Sequence, residues 1–241
     1  MAKTAANRAL LGERGAPSKG AATRALIVET ALRLFNEENA SDVSTNQIAA
    51  EAGISPGNLY YYFRNKEEII RALFPDIRDG IAEPLTYPKG EPISAERMAN
   101  DYLSAIEVLW AYRFFFADLI GLGQRDPELG AMIQTLQDDT IMTMGNMYKD
   151  IMDQGDMVAV DKKTNELLAL NSFLVWFSWV SFMDRASDPR GKREQRLADG
   201  ALACLAIIDP YLKPTYRTAV HDALDALMNR RQKKRPRTGR H

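Results

Sequence analysis

Residues 43–70 read VSTNQIAAEAGISPGNLYYYFRNKEEII, and this stretch constrains the fold more than any other part of the chain. Thr45 to Ala52 has the spacing of one short helix, which Gly53 stops as a left-handed C-cap residue would. Ser55 is an N-cap residue and Pro56 suits the first helical position, so a second short helix runs from there to about Phe63. Asn65 caps a longer helix from Lys66, whose positive end accommodates Glu67 and Glu68. Upstream, Leu26, Ile27, Ala31, Leu34 and Phe35 give residues 22–39 one apolar helical face.

Two short helices across a sharp turn form a helix-turn-helix, in which the second helix enters the DNA major groove. Phe35, Val43, Ile48, Ala49, Ala52, Ile54, Leu59, Phe63 and Ile69 supply its expected core. Thr45, Asn46, Gln47, Ser55, Asn58, Tyr60 and Tyr61 are left facing outward. The run 43–70, extended back through 22–39, resembles the DNA-binding motif of the TetR family of bacterial repressors and covers about a fifth of the chain. Tyr62 departs from the family, which commonly has His there. The resemblance implies DNA-facing roles for Thr45, Asn46, Ser55, Gly57, Asn58, Tyr60, Tyr61 and Lys66. Their chemistry agrees with that assignment. Thr45 starts a helix whose free N–H groups suit a phosphate. Gly57 lets the backbone approach the groove, and Asn58 and Asn46 can reach base edges. Tyr60 suits a thymine methyl or a phosphate, Tyr61 a phosphate, and Lys66 adds a cation. Three consecutive helical tyrosines span about 200°, so they cannot all be core.

Charge is distributed unevenly. The net charge is −1, yet residues 1–24 carry +4 and 229–241 carry +7, leaving −12 between them. Residues 25–75 set four cations (Arg33, Arg64, Lys66, Arg71) against seven acids. Affinity for a polyanion must therefore come from placed contacts and from the arm at 1–20, which is expected to be disordered and to follow the minor groove or act only as a solubility tail. The tail 229–241 is also expected to be disordered. The single Cys204 and the two histidines, His221 and His241, exclude a disulfide framework and a Cys/His zinc site and suit a cytoplasmic protein. No cofactor is expected.

The chain as a whole reads as all-α: a three-helix helix-turn-helix domain at 21–75, then a helical ligand-binding and dimerisation domain at 76–228. Pro75 should kink or divide its helix. Past the turn-rich stretch 84–92, helices are expected at 94–121, 127–152, 162–185, 192–212 and 215–228. The uncharged segment 167–183 is better read as a buried helix than as a membrane span. Trp110, Phe114, Met144, Met147, Phe173 and Trp176 are the expected lining of a pocket for a hydrophobic ligand. Helices 162–185 and 192–212 are the expected homodimer interface, which would place two recognition helices on a near-palindrome of double-stranded DNA. No nucleophile elbow, phosphate loop or metalloprotease motif suggests an enzyme. The reading is a ligand-released repressor. The alternatives are an architectural DNA-binding protein without a ligand and a membrane-anchored regulator.

Overall fold

The computed structural model describes residues 18–88, 90–184 and 193–233. Among them are eleven α-helices and no strand; Met157 and Leu212 form one isolated bridge. The helices are α1 (Lys19–Glu37), α2 (Thr45–Glu51), α3 (Pro56–Tyr62), α4 (Lys66–Ala82), α5 (Ala95–Ala111), α6 (Arg113–Ala117), α7 (Leu119–Arg125), α8 (Pro127–Asp153), α9 (Lys162–Asp184), α10 (Arg193–Ile208) and α11 (Pro214–Lys233). Two compact units divide after Gly80, Ala111 and Gln134, so the stretch from Tyr112 to Gln134 joins the unit that contains α1 to α3.

In that first unit, local signals set the helix ends. Ser18, Ser44 and Ser55 each accept a hydrogen bond from the backbone N–H three residues on, at 3.2, 3.1 and 3.2 Å. Gly53 sits at φ 66°; its N–H bonds Ala50 O at 3.1 Å, and the Ile54 N–H bonds Ala49 O at 3.0 Å. This paired arrangement satisfies the last carbonyls of α2 and turns the chain into α3. Asn65 Oδ1 accepts from Glu68 N at 2.9 Å while Glu68 accepts from Arg64 N at 2.7 Å, a reciprocal cap on α4. The expected core is buried at Phe35, Val43, Ile48, Ala49, Leu59, Phe63 and Ile69. Ala52 and Ile54 lie at the turn and are only half-buried, and Leu26 is 43% exposed.

Four sequence expectations shift. α1 opens at Lys19, inside the segment read as a disordered arm; residues 1–17 lie outside the described residues. α4 runs unbroken through Pro75. The expected helix 94–121 is three pieces, broken at Tyr112 and Asp118, where the backbone leaves helical angles. Its sequence explains the break: Phe114, Phe115 and Phe116 are all buried, which consecutive positions on a surface helix cannot achieve. Phe114 packs on Phe35 with centroids 5.1 Å apart, and Phe115 on Phe74 at 6.0 Å. Finally, α11 continues to Lys233, so residues 229–233 of the expected tail are helical, and Arg231 pairs with Glu107 of α5. The remainder of the tail lies outside the described residues.

The second unit buries Met98, Tyr102, Leu103, Ile106, Leu109, Met144, Met147, Trp176, Cys204, Leu205, Val220 and Leu224. A polar thread crosses this apolar core: Tyr102 and Tyr148 share a 3.3 Å hydrogen bond, and Tyr148 donates to Ser172 at 2.7 Å. Helix α11 lies along α5, and α9 packs on α10. No helix among the described residues is long and apolar enough to cross a membrane.

Candidate nucleic-acid interface

Helices α2 and α3 present one polar surface. Asn46, Ser55, Gly57 and Asn58 are exposed, Tyr60 is 49% exposed and Tyr61 82% exposed. Thr45 and Tyr60 share a 3.0 Å hydrogen bond, which ties the first turn of α2 to the outer face of α3. Tyr62 is half-buried and meets Tyr61 edge to face, with centroids 5.1 Å apart. Seven of the eight sequence-predicted residues thus lie on or frame this surface.

Lys66 differs. Its ammonium points inward and donates to three main-chain carbonyls of the α1–α2 loop: Ala40, Ser41 at 3.0 Å and Val43 at 2.9 Å. Burial pulls its pKa below the ordinary lysine value, assisted by Arg125 and opposed by Glu67 and Asp42. All three donors are occupied, so the side chain holds the loop to α4 instead of standing free at the surface.

Sequence reasoning missed the supports contributed by residues 112–134. Arg113 donates to Asn36 O at 2.5 Å, and Asn36 Oδ1 accepts from Phe114 N at 3.2 Å, fastening α6 to the end of α1. Asp126 is 6% exposed; its Oδ1 accepts from the N–H groups of Glu128 and Leu129 at 3.1 and 3.2 Å, and its Oδ2 takes Arg71 of α4. An Asp ahead of Pro127 was a legible N-cap signal, whereas its pairing across 55 residues was not.

The six expected pocket residues do not form one group. Phe114 belongs to the first unit, packed on Phe35. Trp110, Met144, Met147, Phe173 and Trp176 belong to the second. There Trp176 meets Tyr102 edge to face at 5.2 Å, and Phe173 stacks on Phe177 at 4.1 Å. Two open clefts are lined by other residues. One of about 590 Å³ adjoins Asp209, Arg217 and His221, and one of about 500 Å³ adjoins Arg24, Phe63, Arg71 and Met132.

The profile described as "Bacterial regulatory proteins, tetR family" matches residues 27–73, and that described as "Bacterial transcriptional repressor" matches residues 78–220. The second match alone spans more than half of the chain. The chain belongs to the TetR family of bacterial transcriptional regulators. A solved TetR-family regulator from Marinobacter aquaeolei VT8 is 32% identical, with a TM-score of 0.76, covering 89% of this chain and 99% of its own. The transcriptional regulator UidR of Escherichia coli K12 is 22% identical over 135 residues, 56% of this chain and 69% of its own length. AibR, solved with isovaleryl coenzyme A and operator DNA, shares the fold at 20% identity and a TM-score of 0.55, covering 74% of this chain and 96% of its own. As a TetR-family member, the chain is a helix-turn-helix transcriptional regulator.

Proposed function

We propose that this TetR-family regulator is a homodimeric, cytoplasmic repressor that leaves a near-palindromic operator when a small hydrophobic ligand binds its second unit. The observation that carries the DNA half is the exposed face of α3, with Asn58 in its first turn and Tyr60 and Tyr61 beyond it. Asn58 and Asn46 read base edges, Gly57 admits the backbone to the groove, and Thr45, Tyr60 and Tyr61 bind phosphates or a thymine methyl. Ser55 fixes the helix start. Lys66 acts as a positioning residue, since its donors hold the loop that sets α2.

Dimerisation is supported by an apolar stripe on α9. Leu167, Leu170, Leu174 and Phe182 are 48, 37, 49 and 70% exposed, and Leu202 of α10 is 36% exposed. Such a stripe is spaced as one helical face and needs a covering partner. A second copy supplies it and sets the separation of the two recognition helices. The ligand reading rests on Trp110, Met144, Met147, Phe173 and Trp176, adaptable or flat apolar side chains in one unit. AibR, which shares the fold, was solved in complex with isovaleryl coenzyme A and operator DNA.

The test is selection of bound DNA from a random pool, repeated with hydrophobic compounds present. Asn58→Ala should change the selected sequence, and Tyr61→Ala should weaken all sequences alike. Selection that returns no sequence, or the same sequence for Asn58→Ala, overturns the reading of α3.

A further inference from the structure

Two hydrogen-bond donors are left unmet along the polar thread of the second unit. Tyr148 gives its proton to Ser172 at 2.7 Å, so in its 3.3 Å contact with Tyr102 it accepts. The Ser172 hydroxyl accepts from Tyr148 and makes no other hydrogen bond, which leaves its own proton without an acceptor. Trp176 Nε1 is buried with no hydrogen-bond partner. The Cys204 sulfur is near enough to feel it, but a thiol is a weak acceptor. Ser172 and Trp176 stand four residues apart on α9 and so share one face, and they are 0 and 1% exposed. Trp176 also meets Tyr102 edge to face at 5.2 Å, which keeps both donors beside the thread. A buried donor without a partner loses its hydration with nothing in return, so two of them on one helix face call for an acceptor.

We propose that the ligand of the second unit is a neutral, largely apolar molecule with one carbonyl-type oxygen, which accepts from Trp176 Nε1 and from the Ser172 hydroxyl. This rests on the reading of that unit as the ligand-binding one. A carbonyl oxygen has two lone pairs and can take both donors, while the serine hydroxyl rotates to meet it. The surroundings set the charge of the ligand. No Lys, Arg or His is buried among the described residues, so a carboxylate would be desolvated without a counter-charge. An ammonium would bring three more donors to a place that lacks acceptors. Burial pushes the Tyr102 phenol and the Cys204 thiol well above their ordinary values and Tyr148 to about 12, so these groups stay neutral near pH 7. Met144, one turn before Tyr148 on α8 and 1% exposed, can change shape to make room.

The test uses the full chain and four probes of similar size: acetophenone, its apolar isostere cumene, benzoate and benzylamine. Titration calorimetry should show acetophenone binding about tenfold tighter than cumene, the worth of a hydrogen bond to a buried donor, with both charged probes weaker than the ketone. Trp176→Phe and Ser172→Ala should each shrink that advantage several-fold and leave cumene binding in place. Ser172→Ala is the milder change and carries the test alone if Trp176→Phe does not fold. In nitrogen-15 spectra the Nε1 proton of Trp176 should move downfield with acetophenone and not with cumene. Equal binding of ketone and isostere, an advantage that the variants retain, or tightest binding of a charged probe overturns the proposal and assigns the two donors to a resident water. Where cumene still binds, the reading of the second unit as a hydrophobic-ligand domain stands. If none of the four binds, the proposal and that reading fall together.

Discussion

Three main-chain carbonyls converge on Lys66 Nζ, so truncating that side chain leaves all three without their donor. Lys66→Met leaves them without a donor in a part-buried site, which should cost about 1–3 kcal/mol and lower the thermal midpoint. DNA affinity should fall for all sequences together, since the loss is of positioning. Thermal melts and binding to operator and scrambled duplexes read the two effects. Tyr148 carries a pH prediction. Burial pushes its phenol up to about 12 from 10.0. Its folded value exceeds the unfolded one, so the stability it contributes is whole below pH 10 and is lost as pH rises towards 12. Urea unfolding should show a steeper alkaline decline for the wild type than for Tyr148→Phe. Residue-scale reading of the sequence did well where chemistry is local: Ser55, Gly53 and Asn65 each do what their types imply. The carbonyl grip of Lys66 was not legible, because its partners are backbone groups more than 20 residues away, which carry no sequence signature.

Among the helices, bounds and caps were legible where local signals set both ends, as in α2 and α3, whereas α1 opens earlier than expected and α4 runs through Pro75. The α5–α6–α7 break was not legible, because the apolar stretch 108–117, interrupted only by Arg113, gives little phase to a periodicity argument. Its tertiary role as a brace on α1 and α4 was likewise invisible. Asp126 is central to that brace, serving both as the α8 cap and as the partner of Arg71. Asp126→Ala should destabilise the first unit by about 1–3 kcal/mol, combining a lost cap with loss of the nearer partner of the part-buried Arg71, whose guanidinium keeps Glu128 at 3.5 Å. Calorimetry should show the shift, and Arg71→Gln combined with it should cost less than the two changes separately. At the turn, Gly53→Ala should lower stability by about 1 kcal/mol, since φ 66° is strained for a side chain.

Across the whole molecule, the apolar stripe on α9 makes assembly the variable that matters. Leu174→Glu should leave helicity unchanged by circular dichroism yet shift sedimentation from dimer to monomer. Operator affinity should then fall by two orders of magnitude or more, at about 1.4 kcal/mol per factor of ten, because each half-site is bound alone. A sedimentation profile unchanged by this substitution would remove α9 from the interface. The all-α class and the polar face of α2 and α3 could be read from residue order, but the assignment of residues 112–134 to the first unit required three dimensions. The grip of Lys66 has one more consequence. It recognises only carbonyl oxygens, so it is indifferent to which side chains stand at positions 40, 41 and 43. The reading head is thus held by a fastener that does not depend on the text being read. Residues 45–62 should be exchangeable with those of a relative as a cassette, giving a hybrid that selects the relative's DNA sequence.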